Sequence, residues 1–304
     1  MEWLSSLGSA IDYIEEHLLD ENLCADIVAE EIAISSFYFQ KGFTILTGYG
    51  VAEYIRNRRL YIAAVEIAAG AKVTDMAFKY GWETCESFSK AFSRFHGTTP
   101  QSVKGDISRI RLFLPLKIQV TVNGGNRMDY KVEKMDGFKI IGIRRTFNSE
   151  NSYQEIPKFW DEIYKKYYLT FCSKPEYKDG VPTDSIEKAF KENNIGEYGV
   201  CVEPLDRRGN FDYFIAGIYK GGEVPAGLEV YEIPAQEWAK FECTGPMPGA
   251  LQSVNTEIFR SWLPANGKYE IAAGFNIEWY SDDGTPDDDN YKSAIWIPVK
   301  EKGK

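Results

Sequence analysis

Two histidines in 304 residues leave this chain little with which to hold a transition metal. They are His17 and His96, and no cysteine pair has zinc-ligand spacing, so no metal or other cofactor is expected. The five cysteines, Cys24, Cys85, Cys172, Cys201 and Cys243, are odd in number and widely scattered. That pattern fits free thiols in a reducing cytosol. A run of about eighteen apolar residues is also missing, so no membrane span is expected. The opening Met1-Glu2-Trp3-Leu4-Ser5 lacks the basic start of a secretory signal, which points to a cytoplasmic location. No nucleophile–base motif stands out, and the chain is not expected to be an enzyme.

What is abundant is acid. The net charge of −10 speaks against a nucleic-acid binder until its distribution is read. Residues 1–35 hold nine acidic side chains and no lysine or arginine. Residues 36–104 hold nine basic and five acidic ones, a net +4. Local potential governs phosphate attraction better than total charge does. The expectation is a binder with a shallow salt dependence, whose acidic first helix repels DNA or faces protein.

The positive stretch carries two helix-turn-helix patterns. In the second, the stretch Val73–Thr84 opens with a short helix that has Ala77 at a close crossing. Gly81 supplies the turn, and Thr84 caps a new helix. That helix sets Phe88, Phe92 and Phe95 on one face, and Glu86, Ser89, Lys90 and Ser93 on the other. The first repeats the plan: a helix over 25–32, a turn at Ala33-Ile34-Ser35, and a second helix from Ser36 to Phe43. Ser36, Phe37, Gln40 and Lys41 are expected outward, with Phe39 and Phe43 inward. A long helix over 51–69 spaces the two units.

Five segments in register carry a resemblance. They are Ala29–Ser35, Tyr54–Leu60, Asp75–Trp82, Ser87–Phe92 and Gly97-Thr98-Thr99-Pro100. Together they resemble the DNA-binding domain of AraC/XylS-type transcription regulators, over residues 1–105. The resemblance implies two reading helices about one DNA turn, roughly 10 bp, apart. Ser36, Phe37, Gln40 and Lys41 would read one segment; Thr84, Cys85, Glu86, Ser89 and Lys90 would read the next. Within that frame Arg56, Arg58 and Arg59 are structural or phosphate-contacting. Two departures stand out: Ala33 where glycine is frequent, and Ser93 where lysine is frequent.

Residues 106–127 read as a connector ending in an extended segment and the turn Asn123-Gly124-Gly125. Residues 128–304 then show two copies of a strand–helix–strand–strand plan, about a hundred residues apart. The first runs through strands over 130–147, a helix over 154–168, and a hairpin over 197–203 and 212–220. The second runs through strands over 228–243, a helix over 250–263, and strands over 269–280 and 291–299. The expected architecture is an all-α N-terminal domain followed by an α+β domain with pseudo-twofold symmetry and a groove at the twofold.

Met128–Val132, Ile140–Ile143, Ile156–Trp160, Tyr198–Cys201, Trp262-Leu263-Pro264 and Phe275–Tyr280 make this half similar to GyrI-like effector-binding domains. The resemblance implies a carboxylate that receives cationic aromatic ligands. Alternation puts Phe275, Ile277 and Trp279 on one face, expected under the helices, and Asn276, Glu278 and Tyr280 on the other, facing the groove. Tyr198, Trp160, Tyr164, Trp238 and Trp262 are candidate walls around Glu278. The chain thus reads as a ligand-responsive regulator. Its expected partners are double-stranded DNA, a small aromatic or cationic effector and RNA polymerase, with no membrane. Two alternatives stay open: a hydrolase of reactive aromatic compounds using a Glu/Tyr pair, and a protein-binding module.

Overall fold

The computed structural model describes residues 2–118, 128–149, 151–168, 184–203 and 209–303. Contacts divide the chain into two units, Glu2–Val122 and Asn123–Lys304.

The first unit is helical. Its elements are α1 (Glu2–Glu16), α2 (Ala25–Glu31), α3 (Ser36–Thr47), α4 (Val51–Ala68), α5 (Val73–Lys79) and α6 (Cys85–His96). The Ser35 hydroxyl caps α3 by accepting from Tyr38 N, and the chain leaves through Gly48 in the left-handed region. Thr84 caps α6 through Ser87 N at 3.1 Å, and Gly97 closes it in the same way. Phe88 and Phe92 are fully buried against Leu60, Ala64, Ile67 and Ala77. Phe95 is only half-buried, and its ring meets Phe113 edge-on at 5.6 Å.

Helix α4 is the strut, about 27 Å long at 1.5 Å per residue. Arg58 pairs with Glu15 of α1 at 2.7 Å, and its guanidinium also donates to the Phe113 carbonyl. Arg59 donates to the carbonyls of Leu18 at 2.8 Å and Asp20 at 2.7 Å. Both side chains are therefore structural, whereas Arg56 is exposed. Residues 110–118 are extended and pack back on this unit, with Leu116 N donating to the Tyr54 hydroxyl at 3.2 Å. The Asn123-Gly124-Gly125 turn lies outside the described residues.

The second unit is one antiparallel sheet with helices. Its elements are β1 (Tyr130–Met135), β2 (Phe138–Asn148), α7 (Ser152–Ile163), α8 (Ser185–Asn193), β3 (Tyr198–Val202), β4 (Asn210–Ile218), β5 (Glu229–Ile233), β6 (Gln236–Thr244), α9 (Gly249–Glu257), β7 (Tyr269–Ile271), β8 (Phe275–Tyr280) and β9 (Lys292–Glu301). Helix α7 runs on as a π turn over Tyr164–Tyr168, and α9 as another over Ile258–Trp262. Strand order is β1-β6-β9-β8-β3-β4-β2-β5, with β7 on β9. This order reads the same from both ends once the two copies are exchanged. β8 and β3 meet at the centre, and each copy's first strand pairs with the other copy. The repeats expected from sequence are thus present, and α8 is an addition to them. The tip of the β3–β4 hairpin, including Arg207 and Arg208, lies outside the described residues.

The two sheet faces correct one expectation. The helices cover the Glu278 face, while Phe275 and Ile277 lie on the opposite one. There they join a buried apolar cluster with Tyr198, Val200, Phe214 and Trp238. Met135, Phe138 and Tyr231, from β1, β2 and β5, close over that cluster in place of a helix.

Candidate functional site

Glu278 lies on the central strand pair. Register sets Gly199 of β3 and Ile295 of β9 across from it. Its Oε2 accepts from the Tyr213 hydroxyl at 2.8 Å and from the Tyr280 hydroxyl at 2.9 Å. The Trp160 indole on α7 donates to the Tyr213 hydroxyl at 2.9 Å, and its ring meets Tyr280 edge-on at 5.1 Å. Gly199 makes the space: a Cβ there would fall 2.1 Å from the Tyr213 hydroxyl oxygen and 2.9 Å from Glu278 Oε2. Any side chain at 199 would therefore push the phenol off the carboxylate. Above the sheet, Asn255 of α9 donates to the Tyr153 hydroxyl of α7 at 2.9 Å, tying the two helices together.

Burial, followed by the nearby Glu278 charge, pushes the phenols of Tyr153, Tyr213 and Tyr280 well above the usual tyrosine range. All three stay protonated at neutral pH and act as donors to, or neighbours of, an acceptor. Burial also raises the Cys243 thiol to about 12, so it is no thiolate nucleophile. The basic side chains on nearby strands are engaged elsewhere: Arg144 with Asp212 and Glu229, Arg145 with Glu162, and Lys240 with Glu133. Among the described residues none pairs with Glu278, which remains partly exposed.

The expected walls divide. Trp160 and Tyr280 join Glu278. Trp262 lies on the same face but two strands away, edge-on to Phe241 at 4.9 Å. Tyr164 is exposed at the start of the π turn. Tyr198 and Trp238 are corrected. Both belong to the apolar cluster on the opposite face, because strand alternation turns them away from the carboxylate. Sequence alternation does not point to Tyr213 or Tyr153, which also belong to the site. Tyr213 reaches the site through the register that pairs it with Cys201, two residues from Gly199.

In the helical unit, Thr84, Glu86 and Lys90 are exposed along the first turns of α6, and Cys85 and Ser89 are half-buried beside them. Lys90 and Glu86 form an exposed ion pair at 2.7 Å. The first reader differs from expectation, for Ser36, Phe37 and Gln40 are buried. The Ser36 hydroxyl donates to Asp26, ten residues back, and the Gln40 amide donates to Ser36 Oγ at 3.0 Å. Lys41 stays half-exposed, its ammonium 5.3 Å from the Phe37 ring centre. A hollow of about 280 Å³ opens at the second turn, beside Arg56, Gly81 and Trp82.

Comparison with known proteins follows the same division. A family model described as an integron-associated effector binding protein matches residues 131–299, more than half of the chain. A helix-turn-helix domain model matches residues 28–105. The chain belongs to the integron-associated effector-binding family, joined to an AraC-type reader. The regulatory protein SoxS of Salmonella typhimurium is 36% identical over 99 residues, which is 32% of this chain and 92% of SoxS. The right origin-binding protein of Escherichia coli K12 is 26% identical over 175 residues, or 56% of this chain and 58% of that one. A solved transcription regulation protein from Staphylococcus aureus MU50 is 23% identical at a TM-score of 0.41, covering 57% of this chain and 99% of its own. This regulator is therefore a DNA-binding transcription factor with an effector-binding domain. Among the described residues, no helix is long and apolar enough to cross a membrane.

Proposed function

We propose that the regulator senses an aromatic cation at Glu278. One observation carries this reading: a partly exposed carboxylate holds two phenol hydroxyls on one oxygen, lacks a basic partner among the described residues, and lies in one cluster with Trp160 and Tyr280. Away from bulk water, the attraction of a carboxylate for a cation strengthens. Each ring face adds about 0.5–2 kcal/mol. The phenols keep the carboxylate oriented. Held protonated, they act as hydrogen-bond donors to it.

On DNA, Thr84, Cys85, Glu86, Ser89 and Lys90 read one major-groove segment. Lys41 contacts the neighbouring one; Ser36, Phe37 and Gln40 join it only once their burial is relieved. RNA polymerase is the expected partner on the promoter, and the cytosol the expected compartment.

The test is calorimetry of the full chain with 1-benzylquinolinium and the uncharged 4-benzylquinoline. Glu278→Gln should weaken the cation about tenfold or more, that is by at least about 1.4 kcal/mol, and leave the neutral ligand unchanged. Equal weakening of both would mean that Glu278 acts through packing and would overturn the reading.

A further inference from the structure

Two carboxamides lie buried under the helices of the effector domain with atoms left unpaired. Asn276 is 1% exposed, and neither its amide nitrogen nor its oxygen has a hydrogen-bond partner among the described residues. Asn255 is 4% exposed; its nitrogen serves Tyr153, and its oxygen is unpaired. Such groups are costly in a protein interior unless something satisfies them.

Both belong to the Glu278 cluster. Asn276 is two residues before Glu278 on β8, hence on the same sheet face and about 7 Å along the strand. Its partner across the sheet is Cys201. Tyr153, which Asn255 holds, lies near enough to Glu278 for the carboxylate to help raise its phenol. A cationic end at Glu278 and a polar end at Asn276 therefore fit the span of one bicyclic ligand.

We propose that the effector carries, beside its cationic ring, a neutral group that both donates and accepts, such as a carboxamide, and that Asn276 recognises it with help from the Asn255 oxygen. An amide facing an amide satisfies both atoms of Asn276 at once, which a lone carbonyl or a lone hydroxyl proton does not. A ligand lacking that group leaves the asparagine unpaired, and this is how a buried polar site discriminates. The proposal rests on the cation reading of Glu278.

The probes are 1-benzylquinolinium and 1-benzyl-3-carbamoylquinolinium, titrated calorimetrically into the full chain. The carbamoyl compound should bind about tenfold tighter to the wild type. In Asn276→Leu, which keeps the shape, the two should bind alike. Thermal unfolding of unliganded N276L should occur at the same or a higher temperature, since an unpaired amide is removed. Equal binding of the two probes to wild type overturns this proposal and leaves the cation reading standing. A preference that persists in N276L overturns the assignment to Asn276, as does marked destabilisation, which would mean the amide is satisfied within the fold. Failure of both probes to bind overturns the Glu278 reading and this proposal with it. The wild-type comparison requires no variant to fold.

Discussion

The second helix-turn-helix turns on Gly81 at φ +85°, where the first turns on Ala33 at φ +52°. Both turns need the left-handed region, and only one has the residue that enters it freely. The reading helices differ as well. α6 keeps Thr84, Glu86 and Lys90 in solvent, while α3 buries Ser36, Phe37 and Gln40. One plan thus yields one helix with an exposed polar face and a second that follows a left-handed alanine and buries the residues of its first turns. A repeated motif fixes where helices start and stop, and leaves open whether each face is available.

The strut between the two helix-turn-helix motifs supplies the largest expected effect. Arg58 is almost buried, with Glu15 and the Phe113 carbonyl around it. Arg58→Ala leaves Glu15 without its partner and should cost about 3–5 kcal/mol, read from urea unfolding. An exposed Arg56→Ala control should change stability by less than about 0.5 kcal/mol. At the turns the comparison predicts opposite signs. Gly81→Ala places a β-carbon in the left-handed region, 3.4 Å from the Arg59 guanidinium, and should destabilise by about 1–2 kcal/mol. On DNA, Lys90→Ala should weaken specific binding by about 1 kcal/mol in footprinting, with protection fading at one half of the site first. An unchanged footprint would remove α6 as the base-reading element. Last, Ala33→Gly relieves the first turn and should stabilise by about 0.5–1 kcal/mol in thermal unfolding, after the extra chain entropy of glycine is subtracted. Loss of stability there would mean the first turn is not strained.

Much of this was legible in the chain. Thr84 and Gly81 announce the second helix-turn-helix, and the hundred-residue repeat in residues 128–304 foretells the pseudo-twofold of the sheet, though not the exchange of first strands between the copies. The errors have local causes. Polarity alone places Ser36 and Gln40 outward, because it cannot reveal that Asp26 stands ready to receive the Ser36 hydroxyl. Alternation along Phe275–Tyr280 defines two faces but not which one the helices cover; closure of the apolar face by Met135, Phe138 and Tyr231 decides that. The same limit misplaced Tyr198 and Trp238. The place of Tyr213 beside Glu278 depends on strand register across β4, β3 and β8, which no single segment encodes.

If Glu278 anchors the effector beside Trp160 and Tyr280, tryptophan fluorescence reports its arrival. Titration of the full chain with 1-benzylquinolinium should give quenching that saturates in the wild type and is lost in Glu278→Gln. Quenching of equal size and midpoint in the two proteins would place the ligand elsewhere in the molecule.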